Sequence, residues 1–89
     1  MKATIVGLVT PHVFRVIDLA KQAEAGVNVD WHLRDTVASS INELAPQYNA
    51  DDLKAAYIHG LEAAAKEAEW TRKAYIGALQ SAVALAKKA

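Results

Sequence analysis

The sequence predicts an all-α domain in which two short helices pack on one long C-terminal helix, with a short extended N-terminal arm. Three observations predict it. Apolar residues recur at helical spacing from residue 11 to the C-terminus. Residues that start and stop helices (Pro11, Gly26, Asp30, Pro46 and Asn49) fall at the seams between those periodic segments. Beyond Pro46 no proline interrupts the chain. With 89 residues, 53% of them hydrophobic, residues 1–89 form one small domain with little margin of stability.

Residues 1–10 are expected to be the arm. The stretch "ATIVGLVT" is rich in β-branched residues and alternates Ile5, Gly7 and Val9 against Val6 and Leu8, which suits an extended strand. A lone strand makes no sheet, so the segment either packs as an arm, pairs with a copy from another subunit, or is helical after all. Thr10 and Pro11 look like an N-cap and first helical position, opening a helix over 11–25. Val13, Val16, Ile17, Ala20 and Ala23 mark its inner face, and Gly26 is placed to end it in a left-handed turn. Asp30 then caps a helix over 31–45 carrying Leu33, Val37, Ile41 and Leu44, which Pro46 stops.

The third predicted helix covers 51–88, with Asn49 as its cap and Asp51 and Asp52 in a first turn whose dipole favours carboxylates. At about 37 residues it would be about 55 Å long. A compact domain of this size is only about 30 Å across. Unless it bends at Gly60 or Gly77, part of its apolar face must meet another chain. On a helical wheel Glu62, Lys66, Glu69 and Lys73 form a polar stripe, flanked by a bulky ridge that includes Ile58, Leu61, Ile76 and Leu79. A second face, with Tyr57, Gly60, Ala64, Tyr75, Ala78 and Ala82, is small enough for close helix approach and is the expected self-association surface.

In "EAEWTRKAY" the indole of Trp70 falls beside the polar stripe and away from the bulky ridge. Tryptophan is highly buried on average, so one reading has another element folding over it. The other makes it an anchor for a partner protein, with Lys66, Arg72 and Lys73 around it, because Trp and Arg are enriched at binding hot spots. Trp70 is expected to lie at least partly at the surface.

Several function classes find no support. Ten basic residues balance ten acidic ones, which removes a general attraction to nucleic acid or anionic lipid. No cysteine is present, so neither a disulfide framework nor a thiolate site is available, and a cytoplasmic location is the simplest expectation. The start "MKATIVGLVTPHVF" lacks a cleavage pattern and reads as mature sequence, and no apolar run approaches the roughly 20 residues of a membrane helix. His12, His32 and His59 sit in separate elements without metal-pair spacing, and are expected to be surface or boundary residues. Asp51 and Asp52 are explained as first-turn residues, Glu67 and Glu69 diverge, and Ser39 and Ser40 have the look of a polar helix face rather than of nucleophiles. Four scattered glycines make no phosphate cradle. No metal, cofactor or catalytic residue is therefore expected.

The function expected is a non-catalytic protein-interaction module, of adaptor or inhibitor type, such as small bacterial or phage-like proteins supply. It self-associates and binds another protein through Trp70, Arg72, Lys73 and Lys66. An alternative draws on Arg15, Lys21, Arg34, Lys54 and Arg72, with Tyr57 or Tyr75 for stacking, as the lining of a site for a small anionic ligand, nucleotide or nucleic acid at a subunit interface.

Overall fold

A computed structural model describes residues 5–89 as four helices: α1 (Ile5–Glu24), α2 (Asp30–Leu44), α3 (Ala50–Glu67) and α4 (Lys73–Lys88). Helices α1, α3 and α4 pack on one another along their lengths, and α2 lies mainly against α4 and α1. The bundle measures 39 × 24 × 19 Å.

Residues 1–4 of the expected arm lie outside the described residues, but residues 5–10 are helical and continuous with the helix predicted over 11–25. The local β-preference yields to burial. Val9 continues inward the row formed by Val16 and Ala20, and a strand would have no partner to pair with. Thr10 is consequently not a cap; its hydroxyl donates to the Val6 carbonyl at 2.6 Å, one turn back. Pro11 sits on the exposed side of the second turn, where packing of the helix overrides its poor helix propensity. At the other end the prediction for Gly26 holds. Its φ is 93°, its N–H donates to the Ala23 carbonyl, and the Val27 N–H reaches back to Gln22, which together close the helix in a Schellman motif.

Helix α2 begins at Asp30 and stops before Pro46, one residue from the predicted bounds at each end. Asp30 occupies the first turn and makes no side-chain cap; instead its N–H donates to the Asn28 side chain at 3.1 Å. Asn49 stands at the N-cap position of α3 but likewise makes no side-chain cap bond.

The single long helix does not exist. Residues 51–88 are divided at 68–72, where Ala68 is extended (φ −70°, ψ 147°), and α4 turns back along α3. Lys87 and Glu62 meet at 3.5 Å, and Lys54 bonds the carbonyl of Ala89, as an antiparallel pair requires. Neither Gly60 nor Gly77 makes the bend; both are helical. A straight helix of about 55 Å would have outrun the 39 Å molecule and left its apolar faces in water. Folding back instead puts Leu53, Tyr57 and Leu61 of α3 and Leu79, Ala82 and Ala86 of α4 into one core with Val16, Ala20, Leu33 and Val37. Locally, Glu67 at the last position of α3 and Glu69 just beyond it oppose the helix dipole, and Arg72 interrupts the apolar row that an unbroken helix would need.

Candidate binding surface

The bend between α3 and α4 is the most sharply defined feature of the surface. Within it Arg72 N–H donates to Glu69 carbonyl and Lys73 N–H to Thr71 carbonyl, both at 2.9 Å. The Arg72 side chain then ties the bend to the end of α1. Its Nε and Nη2 donate to the two carboxylate oxygens of Glu24 at 2.7 and 2.8 Å, a bidentate pair, while its guanidinium carbon lies 3.8 Å from the centre of the Tyr75 ring. The hydrogen bond from Arg72 holds the Glu24 carboxyl below its ordinary range and raises Arg72 in turn; partial burial opposes both shifts. Trp70, three residues from the helix end and two before Arg72, is left 79% exposed on this braced turn.

Of the four residues expected to meet a partner, Trp70, Lys66 and Lys73 are therefore exposed near one another along the chain, and Arg72 is engaged within its own subunit. The wheel placed Trp70 on the flank of a continuous helix, whereas it stands in the break.

The residues expected to self-associate lie elsewhere. Tyr57 and Ala82 are wholly enclosed and Tyr75 and Ala78 nearly so, all within the core of a single chain. Gly60 is half-buried against α1, where a Cβ would stand 2.9 Å from Val13 Cγ2, and Ala64 is half-buried against the core. Part of the face predicted for a second copy is instead the seat of α1, which approaches closely at Gly60 because that position has no side chain.

Sequence reasoning missed a polar cluster inside the bundle. His12, on α1, is buried, and its Nδ1 lies 2.8 Å from the wholly enclosed Ser40 hydroxyl of α2 and 3.4 Å from the Glu43 carboxylate. The edge of the His12 ring meets the Tyr57 ring of α3 at a centroid distance of 6.3 Å. The Tyr57 hydroxyl lies near Ser40, but no hydrogen bond of good geometry reaches it, and burial pushes its pKa up against the smaller opposing influences of Ser40 and Arg15. Ser40 and Glu43 address the same imidazole nitrogen, so the ring cannot relay a proton between them, and nothing outside the fold can reach the enclosed hydroxyl. The cluster joins three helices rather than forming a reaction site. Ser40 is thus a core residue and His12 a buried one, contrary to the reading of both as polar-face or boundary groups. The spacing did hold a signal, for Ser40 falls three residues after Val37 and seven after Leu33, in the same inward row.

Four of the five basic residues of the alternative reading have separate engagements. Arg15 meets Glu43 at 3.4 Å, Arg34 lies 5.5 Å from the Trp31 ring on the outer side of α2, Lys54 serves the C-terminal carbonyl, and Arg72 serves Glu24. Among the described residues no group of three or more His, Asp or Glu side chains is placed to hold a metal ion, and no helix is long and apolar enough to cross a membrane. A surface hollow of about 320 Å³ between α3 and α4 is lined by Glu62, Ala65, Lys66, Gln80 and Val83 and is open to solvent. Comparison with protein-family models, with curated proteins and with solved structures found no match.

Proposed function

We propose that this chain is a non-catalytic protein-interaction module that self-associates and holds a second protein at the α3–α4 bend, with Trp70 as the anchor and Lys66 and Lys73 at its rim. One observation carries the reading: a tryptophan 79% exposed on a turn that the Glu24–Arg72–Tyr75 contacts hold in place. A large apolar side chain exposed on a rigid support loses little conformational freedom on binding, which is what makes aromatic residues effective anchors. The bidentate Arg72 pair is better understood as support for the anchor than as a contact of its own.

The experiment is affinity capture from the native host with the parent chain and with Trp70→Ala, followed by titration calorimetry on any protein that the parent retains. The expected outcome is a partner whose binding weakens by about 2 kcal/mol or more in the variant while helicity and melting stay near those of the parent. A retained partner that binds Trp70→Ala as tightly as the parent would remove Trp70 from the interface.

A further inference from the structure

Two hollows open side by side between α2 and α4. One, of about 290 Å³, starts at the last turn of α1 and is lined by Ala23, Val27, Val29, Leu33, Gly77 and Ala78 among others. The other, of about 240 Å³, runs on to Arg34 and Lys88. They share Asp30, Leu33 and Ser81, so they form one groove that follows α4 from Ala74 to Lys88, about 21 Å of helix. Val29, Leu33 and Ala78 are buried beneath it, and Val27 stands 48% exposed at its rim. Gly77 keeps the first hollow open, since a Cβ there would meet no neighbouring atom within 4 Å. That end of the groove adjoins the braced bend. Ala23 immediately precedes Glu24, which Arg72 holds, and Ala74 follows Trp70 by four residues, at most about 14 Å of chain.

The groove is apolar beside the bend and charged away from it. Asp30 stands where the two hollows meet, and Arg34 and Lys88 stand at the far end. Among the described residues none of these three belongs to an ion pair. The Arg34 guanidinium lies 5.5 Å from the Trp31 ring, a contact that orients the cation without supplying a carboxylate.

We propose that this groove receives a segment of the protein held at Trp70, and that the segment is apolar where it passes Gly77 and acidic where it reaches Arg34 and Lys88. The inference rests on the bend as the binding site and names the chemistry of what binds there. Charge complementarity selects the occupant. An apolar side chain enters over Gly77, where α4 offers no side chain of its own, and carboxylates meet two unpaired cations at the other end. Between them Asp30 accepts from a hydroxyl or amide of the segment. Groups in that order fix the direction in which the segment lies as well as its identity.

The test is selection of displayed random peptides of about 16 residues, long enough to follow the groove as a helix, on the whole chain. Enriched peptides are synthesised and titrated by fluorescence anisotropy. They should carry aliphatic or aromatic residues toward one end and Asp or Glu toward the other. Gly77→Leu, which fills the hollow, and Arg34→Glu, which reverses the charge at the far end, should each raise the dissociation constant at least about tenfold. Space is free above Gly77 and Arg34 is exposed, so neither variant should melt below the parent, which separates lost contact from lost fold. Peptides that bind both variants as tightly as the parent would overturn the inference; if the same peptides lose affinity for Trp70→Ala, the bend stands without the groove. Peptides weakened by Gly77→Leu and Arg34→Glu but not by Trp70→Ala would support the groove and take Trp70 out of the proposed function. A library yielding no peptide with a dissociation constant below about 100 μM would overturn the inference. Parent chains that pair at about 50 μM in sedimentation equilibrium, and come apart in Gly77→Leu, would also overturn it by giving the groove to a second copy.

Discussion

Replacing Tyr57 with phenylalanine should stabilise the protein. The Tyr57 side chain is 0% exposed, and its hydroxyl is enclosed without a hydrogen bond of good geometry, because the nearby Ser40 hydroxyl is engaged by His12 Nδ1 at 2.8 Å. Enclosing a hydroxyl without a partner costs about 1–3 kcal/mol. Proximity to Ser40 recovers part of that, so Tyr57→Phe, which keeps the ring and its edge contact with His12, should gain about 1 kcal/mol. In a domain of this size such a gain raises the melting temperature by about 4–8 °C. The pH dependence provides a second reading. Burial raises the pKa of Tyr57 in the folded state, which means the fold favours the neutral phenol. That contribution is complete below the ordinary tyrosine pKa and is lost as pH rises from there through the raised folded value. Urea unfolding from pH 7 to pH 11 should therefore show the advantage of Tyr57→Phe over the parent widening on the alkaline side. A variant less stable than the parent by about 1 kcal/mol at pH 7 would mean that the hydroxyl makes a good hydrogen bond, and an advantage that stays constant up to pH 11 would mean that it is solvated.

Gly60→Ala should destabilise by about 1 kcal/mol, the crowding of its Cβ 2.9 Å from Val13 Cγ2 outweighing the gain in helix propensity, whereas Gly77→Ala, with no atom within 4 Å of its Cβ, should stabilise by about 0.5–1 kcal/mol; thermal melts of the pair decide. Equal effects of the two changes would mean that α1 and α3 do not approach closely at Gly60. Glu24 has its folded pKa lowered by Arg72, so its contribution is present above the ordinary carboxylate range and is lost as pH falls through the lowered value. Glu24→Gln should accordingly show a shallower loss of melting temperature between pH 6 and pH 3 than the parent, and an unchanged slope would count against the pairing. Trp70→Ala should melt within about 0.5 kcal/mol of the parent, as expected of an exposed side chain outside the core.

What could be read from the sequence was what local rules control. The inner rows of α2 and of the later part of α1 follow from apolar spacing, and the Schellman turn at Gly26 follows from the one residue type that enters a left-handed conformation without strain. The bend at 68–72 carries no glycine or proline. Alanine-rich sequence on either side propagates a helix, the local opposition from Glu67, Glu69 and Arg72 is weak, and the demand to cover two apolar faces at once breaks it, a demand that depends on where α1 lies. The same dependence misassigned residues 5–10, whose β-branched side chains favour strand until a bundle is there to receive Val9. At the binding surface the exposure of Trp70 was anticipated, but from its place on a helix that is not continuous there. The tie from Arg72 to Glu24 spans 48 residues and leaves no trace in local spacing.

The central position of α1 also sets an order of events during synthesis. Its inner side chains are completed by Leu53, Tyr57 and Leu61 of α3 and by Leu79 and Ala82 of α4, so the α1–α2 hairpin emerging from the ribosome has most of its core still unmade. At about 5–20 residues per second, the 64 residues between Glu24 and Lys88 take about 3–13 s to add. Through that interval the first helix presents its inner apolar side chains to solvent or to a chaperone, and the core closes only once α4 has been added.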